Sequence, residues 1–460
     1  MKKPDFHFWK LAWRNLCRHW KRNLSTGLAI GAGFAGIVLL GGYLLRMEFY
    51  LITQSVYLNH VGHVAIYKPN GLDRHLSDPA KFNLTLEDQS KIMTGISELR
   101  EKPEFISKSL EGQGLVSNGC QVFPFLALAV DSKMESQIRN HPEVLARVPE
   151  LAQLKMGRGF WETPELPDGI LISKRLAARL KKPLVSGGAG EVPSAMDALI
   201  TDCENPESEK IISSHSGLQL IGSTFEKGIA ATDARVSGHF TTGLTLSEDT
   251  AMLMPLALAQ KFFDTDSVTF ISIYLQKGSR SLATDVSGEL QNIFLKHGWD
   301  FDVYPFYDER VSPYYVGAMT FVYVMALFFL ILVCGVAALS ILNSLQISFM
   351  ERRTEVGTLR AIGYRPAQIV GLFAREIALL TGISLIGGGI AAALIAFAIN
   401  AAELRFYVPG LAGSLHFLLK PGFVFSLIVG AIFFSVCMGA VFVTGRRWSK
   451  IKVVDLLENK

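Results

Sequence analysis

The sequence predicts an α-helical membrane protein: four transmembrane helices plus a large α+β extracytoplasmic domain inserted between helices 1 and 2. Three observations predict it. Hydrophobic residues make up 49% of the 460 and charged residues only 19%, with a mean hydropathy of +0.29, well above a typical soluble chain. Four stretches free of Asp, Glu, Lys and Arg reach the roughly 20 residues a helix needs to cross the hydrocarbon core. They are Leu24–Leu45, a run inside Val311–Met350, Ile377–Ala402 and Pro421–Gly445. Between the first and second lie some 265 residues of ordinary polar composition, from Arg46 to Arg310. Five Cys in 460 residues exclude a disulfide-rich scaffold, and the composition excludes disorder and collagen.

Each element follows in order. Residues 1–23 read as a cytoplasmic amphipathic helix lying in the headgroup layer. Trp9, Trp13, Leu16, Trp20 and Leu24 recur at helical spacing, while Lys10, Arg14 and Arg18 line another face. Residues 24–45 form span one. This run of 22 residues is too long for a signal-peptide core, and Leu-Leu-Arg-Met is no cleavage site, so it reads as an uncleaved anchor. Residues 46–312 form the extracytoplasmic domain. Its longest uncharged runs, Phe49–Tyr67 and Gly112–Val130, are interrupted by polar residues and read as soluble-domain segments. Residues 313–347 form span two, 348–376 a cytoplasmic segment, 377–402 span three, 403–420 a short outer loop, 421–445 span four and 446–460 a cytoplasmic tail.

Orientation follows from the basic residues. Seven Lys/Arg face one acid, Asp5, before span one, and five Arg follow span two at 352, 353, 360, 365 and 375. The tail adds Arg446, Arg447, Lys450, Lys452 and Lys460, whereas the outer loop has only Arg405 and Lys420. The positive-inside rule therefore puts both termini and the 350–376 loop in the cytoplasm. Met47–Tyr315 holds 25 basic and 34 acidic residues and faces outward. With basic residues gathered beside the spans, no nucleic-acid partner is expected.

Enzyme signatures are missing. No Gly-Lys dipeptide occurs anywhere, so the chain has no phosphate-cradling loop of the Gly-x-x-x-x-Gly-Lys-Ser/Thr kind. His-Glu-x-x-His, Gly-x-Ser-x-Gly and Cys-x-x-Cys are also missing. His60-x-x-His63 sits in an alternating, strand-like stretch with no third ligand nearby, and reads as surface histidines rather than a metal site. Cys120 and Cys203 share the outward domain, where either a disulfide or two free thiols is expected. The spans carry no ionisable residue, which disfavours an ion-coupled pathway. Gly27-x-x-x-Gly31 in span one marks close helix packing, either at a subunit interface or within the chain's own bundle.

The most specific stretch is Ser348–Leu380. Arg352–Ile362 reads as a short helix with Val356, Leu359 and Ile362 on one side. Gly363 suits the left-handed position that ends a helix, and Pro366 the first position of the next. Glu351, Arg352, Arg353, Glu355, Gly357, Leu359, Arg360, Ala361 and Gly363, with Glu376 and Gly387–Gly389 further on, closely resemble the coupling segment of FtsX-like ABC transporter permeases. These include MacB and the lipoprotein-releasing LolC and LolE. In the outward domain, Gly157–Leu180 and Asp233–Phe263 resemble the MacB-like core domain, and Gly62–Gly71 is similar to the LolC/LolE branch. The Gly/Ser/Pro-rich insertion near Lys182–Ser216 and the Pro-free tail VVDLLENK depart from the family pattern.

The resemblance implies a permease subunit with no catalytic site and no cofactor of its own. ATP and Mg would be bound by a separate ABC ATPase docked at Glu351–Gly363, with Val356 and Leu359 entering a groove in that partner. It further implies mechanotransmission, with spans one and two moving against each other, and pairing with a second copy or a paralogous permease. Membrane lipid, and a periplasmic chaperone or outer-membrane factor, complete the implied partners. Release or export of a lipoprotein or other amphiphile at the bacterial inner membrane is the favoured function. The alternatives are a non-transporting signalling permease that activates a cell-wall hydrolase and a MacB-like exporter of a toxin or antibiotic.

Overall fold

A computed structural model of the chain describes residues 5–18, 20–147, 168–182, 212, 216–242, 245–276, 280–407, 414–448 and 451. The chain begins with two helices, α1 (Asp5–Arg18) and α2 (Trp20–Thr53), and α2 ends in a π-turn, Gln54–Leu58. Helix α2 thus continues eight residues beyond the expected end of span one at Leu45. The stretch expected to open the soluble domain at Phe49 is helix and π-turn before it becomes strand. The polar residues that interrupt it, Gln54 and Ser55, are buried at 2% and 4% exposure.

The chain divides into two compact units, one of them Phe49–Ala318 with Phe406–Leu415. This unit holds β1 (Val64–Tyr67), helix α3 (Leu86–Ser97), β2 (Phe105–Ser117), β3 (Val122–Val130), α4 (Ser132–Arg139) and α5 (Pro142–Arg147). There follow β4 (Gly169–Ser173), α6 (Lys174–Arg179), β5 (Gly217–Ser223), β6 (Ile229–Phe240), β7 (Ala251–Pro255), α7 (Leu256–Phe263), β8 (Phe270–Tyr274), α8 (Arg280–His297) and β9 (Asp302–Pro305). Six of the strands close on themselves in the order β2-β3-β7-β4-β6-β5 and back to β2. The long β2 reaches out of this ring, its Phe105–Ser109 half pairing with β8, then β1 and β9. Closure removes exposed sheet edges from that part of the unit.

Local chemistry explains the elements. In β3, Phe125, Ala127 and Ala129 point into the ring while Val122, Pro124 and Leu126 face out, the period of two that a half-buried strand shows. All five residues of β8 are buried, as for a strand covered on both faces. Helix α3 starts with a capping box in which Thr85 and Asp88 satisfy each other's backbone N–H. Cys120, in the β2–β3 turn, is disulfide-bonded, whereas Cys17, Cys334 and Cys437 are free. Cys203 lies outside the described residues, as do 157–167 of the core-domain resemblance, most of the Lys182–Ser216 insertion and the VVDLLENK tail.

The histidines correct the sequence reading. His60 and His63 are each only 1% exposed. His60 takes the left-handed conformation at φ 60°, and Leu275 N–H donates to His63 Nδ1 at 3.0 Å. Neither lies in the strand that the alternation suggested, because β1 starts only at Val64 and Gly62 is also at positive φ, 68°. Every residue from His60 to Tyr67 is buried, which a period of two cannot report.

The other unit contains Met1–Glu48, Met319–Arg405 and His416–Lys460. Helices α9 (Pro313–Glu351), α10 (Arg353–Ala361), α11 (Pro366–Ala401) and α12 (Phe423–Trp448) complete the chain, and short strands β10 (Arg405–Tyr407) and β11 (Ser414–His416) pair between α11 and α12. Four helices, α2, α9, α11 and α12, are long and apolar enough to cross a membrane. Their shared core includes Phe34, Ile341, Phe373, Phe433 and Val441, with Phe34 edge-on to Phe433 at 5.9 Å. Phe321, Leu327, Phe328, Ile331 and Leu339 of α9 remain exposed, as a lipid-facing surface requires. Gly27 and Gly31 face α11 of the same chain: a Cβ at Gly31 would lie 3.0 Å from the Ser384 carbonyl, and one at Gly388 would collide with the Gly31 carbonyl. Only glycine lets the two backbones approach so closely.

Candidate functional site

The segment between α9 and α11 is built around a break in the helix. Helix α9 ends at Glu351, Arg352 leaves the helical region at φ −109° and ψ 20°, and α10 begins one residue later. The side chain of Arg352 holds this corner. Its Nε donates to Glu355 Oε2 at 3.1 Å, and its Nη1 to Glu376 Oε1 at 2.9 Å. The guanidinium also lies over the Phe373 ring at 5.3 Å. Arg352 and Glu376 are 11% and 13% exposed, so the pair is largely desolvated and loss of either partner leaves a costly lone charge.

Asn15 of α1 joins the same carboxylate, donating from Nδ2 to Glu376 Oε1 at 2.5 Å. Three elements thus meet on one acid. Beside them is a cavity of about 20 Å³ lined by Asn15, Asn23, Ser344, Ser348, Arg352 and Glu376, room for about one water. Arg360, nearer the end of α10, donates through Nη1 to the Ile451 carbonyl. Phe349 stacks on Trp448 at 4.1 Å, with Phe373 edge-on to the same indole at 5.3 Å.

The end of α10 is a Schellman turn. Gly363 N–H donates to the Arg360 carbonyl at 3.1 Å and Tyr364 N–H to the Leu359 carbonyl at 3.0 Å. Gly363 has φ 103°, which favours glycine. Pro366 then opens α11, with the Gln368 side chain accepting from Arg365 N–H at 2.9 Å.

This geometry corrects the expected contact face. Val356 is 5% exposed and belongs to the helical unit's own core, Leu359 packs against that core, and Gly357 is buried. Val356 is therefore closed to a groove in another protein, and Leu359 is half-buried against its own bundle. Ile362, expected beside them, is instead 73% exposed. At 100° per residue, positions 356, 359 and 362 drift steadily round the helix, so the third lies a third of a turn from the first. The outer face of α10 consists of Glu351, Thr354, Glu355, Thr358, Ala361 and Ile362, while Arg352, Arg353 and Arg360 are half-buried. Asn15 had no signal of its own in the sequence, and Ile362 was legible only as part of an apolar side that it does not share. Glu376 carried one only through the resemblance.

Four candidate spans among the described residues, with a short capped helix between the second and third, give the plan of a multi-pass membrane protein. Residues 327–453 match the FtsX-like permease C-terminal family. An uncharacterized ABC transporter permease of Methanocaldococcus jannaschii is 25% identical over 227 residues, 46% of this chain and 52% of the relative. The chain therefore spans about half the length of that curated relative. Among solved structures, the periplasmic region of MacB from Actinobacillus actinomycetemcomitans aligns at 12% identity and TM-score 0.29, over 53% of this chain and 88% of the other. The extracellular domain of the noncanonic ABC-type transporter YknZ from Gram-positive bacteria aligns at 14% and 0.27, over 52% and 98%. Residues 327–453 are thus similar to the C-terminal domain of FtsX-like permeases, and about half of the chain resembles an ABC transporter permease.

Proposed function

We propose that the chain is the membrane subunit of an ABC transporter whose separate ATPase, carrying ATP and Mg, docks on the outer face of α10. The observation that carries this reading is the sorting of charge on that helix. Its arginines turn inward, Arg352 to Glu376 and Arg360 to the Ile451 carbonyl, while Glu351, Glu355 and Ile362 are left outermost. A partner groove with an apolar pocket and basic rim fits that face. Because Arg352 anchors α10 to α11 and, through Glu376, to α1, force applied at α10 reaches the bundle instead of bending a loop.

The distribution of basic residues supports a cytoplasmic position for α10 and both termini, and an outward position for the domain of Phe49–Ala318, at a bacterial inner membrane. On this reading the domain is moved by mechanotransmission to release or export a lipoprotein or similar amphiphile. The permease works beside a second copy or a paralogue, and hands its load to a periplasmic chaperone or outer-membrane factor. Lipid fills the apolar groove of about 720 Å³ between α2 and α11.

The test is association with the ABC ATPase encoded nearest this chain. Ile362→Asp places a charge on the exposed face and should weaken co-purification by roughly 5–30-fold, the effect of losing about 1–2 kcal/mol at an interface anchor. Leu359→Asp faces the protein's own core and should instead lower the yield of folded protein. Undiminished binding and transport by Ile362→Asp would sink the assignment of this face.

A further inference from the structure

The outward domain has one connection to α2 and one to α9, and the two are fastened together inside the domain. Ser55, in the π-turn that ends α2, hydrogen-bonds through its hydroxyl to that of Ser312. Ser312 immediately precedes Pro313, the first residue of α9, and its carbonyl accepts from Val316 N–H at 3.1 Å. The two serines are 4% and 7% exposed. A few residues deeper, β1 and β9 continue the pairing, with Val64 opposite Pro305 and Tyr67 opposite Asp302, and Phe306 N–H donates to the His63 carbonyl at 3.0 Å.

The incoming side is also locked to the rest of the domain by buried polar groups. Gln54 Nε2 donates to the Thr242 carbonyl at 3.2 Å, and Tyr57 stacks on His141 at 4.9 Å. His60 hydrogen-bonds Glu135, which also accepts from Arg139 Nε at 2.5 Å, and Ser272 Oγ donates to the His60 carbonyl at 2.5 Å. Glu135 is fully buried. Gln54 Oε1 and His60 Nδ1 are buried without a hydrogen-bond partner, but the bonds that are made resist rearrangement, because stranding a further buried polar group is expensive.

The geometry points to a closed neck, in which Ser55 and Ser312 are positioning residues that make the incoming and outgoing connections act as one strut. Motion delivered through the helices then turns the domain as a body, and the connections do not scissor apart at their tops. This refines the proposed mechanotransmission and rests on that reading. It places any movement of spans one and two against each other below the neck.

The experiment uses the full-length permease with its ATPase, in cells and in lipid nanodiscs. Ser55→Ala/Ser312→Ala removes the hydroxyl pair without adding bulk. It should keep the ATPase bound and hydrolysing ATP within about twofold of the parent while cellular function falls at least tenfold. Ser55→Cys/Ser312→Cys places two thiols at positions whose side chains already touch, as a disulfide requires. Once cross-linked, as read by a non-reducing gel shift, it should function as the parent does, with or without reductant. Two results would overturn the closed neck: a double-alanine variant that functions normally, or a cross-linked variant that is inactive until reduced. If the ATPase fails to co-purify with the parent itself, the permease reading has failed instead, whatever the neck variants do.

Discussion

Helix α10 and the neck of the Phe49–Ala318 domain use charge in opposite ways. At α10 one arginine is buried against Glu376, and the remaining acids stand at the surface, Glu355 at 57% exposure. At the neck the network around His60 lies inside, with Glu135 at 0%, His60 at 1% and Arg139 at 14%, while Arg310 nearby stays at the surface at 58%. Surface ion pairs contribute little to stability because water competes for both partners. They are therefore free to serve recognition. Buried pairs contribute little net affinity over an apolar core but make any rearrangement costly. One region is suited to meeting a partner and the other to keeping its shape while force passes through.

The largest expected effect is at the neck. Glu135→Ala should destabilise the outward domain by about 3–5 kcal/mol, the cost of stranding a buried charge after its partner is removed. Chemical denaturation of the full chain in detergent, followed by the fluorescence of Trp299, measures it. A loss below about 1 kcal/mol would show that the neck is no more rigid than the surface of α10. Acid should act through the same group. Burial opposes ionisation of Glu135, but the His60 and Arg139 charges and hydrogen bonds outweigh it and hold the carboxyl at about 2, below the ordinary 4.5. Protons therefore bind the unfolded chain first as pH falls. The Glu135 contribution is complete above pH 4.5, erodes from there towards 2, and disappears in Glu135→Gln. Unfolding midpoints at pH 6, 4 and 3 for parent and variant check this directly.

At α10 the effects should be smaller and divide by face. Arg352→Ala removes a charged partner of Glu376 and should cost about 1.5–3 kcal/mol, read as a lower melting temperature together with a lost cross-link between α1 and α11 cysteines. Gly363→Val forces a β-branched residue to positive φ at a cost of about 1–2 kcal/mol. It should misdirect α10 and reduce ATPase association while leaving the outward domain's unfolding unchanged. Least of all, Glu355→Ala should alter stability by less than about 1 kcal/mol while weakening binding at low salt more than at high salt. Equal binding of parent and variant at both salts would remove Glu355 from the docking face.

Sequence alone was sufficient where chemistry is local. Leu24–Leu45 and the three later apolar runs had to become helices, since a membrane leaves no other solution for their backbone groups. Gly363 and Pro366 punctuate Ser348–Leu380 because a left-handed glycine and a first-turn proline have intrinsic conformational preferences that no neighbour needs to supply. The inward turn of Val356 and Leu359, the exposure of Ile362, the burial of His60 and His63, and the meeting of Asn15, Arg352 and Glu376 were decided only in three dimensions. Asn15 and Glu376 are 361 residues apart, and Ser55 and Ser312 are 257 apart. Periodicity reports which residues share a face, but what covers that face comes from segments distant in the chain. Tertiary packing therefore chose which polar side chains became struts and which stayed at the surface to meet a partner.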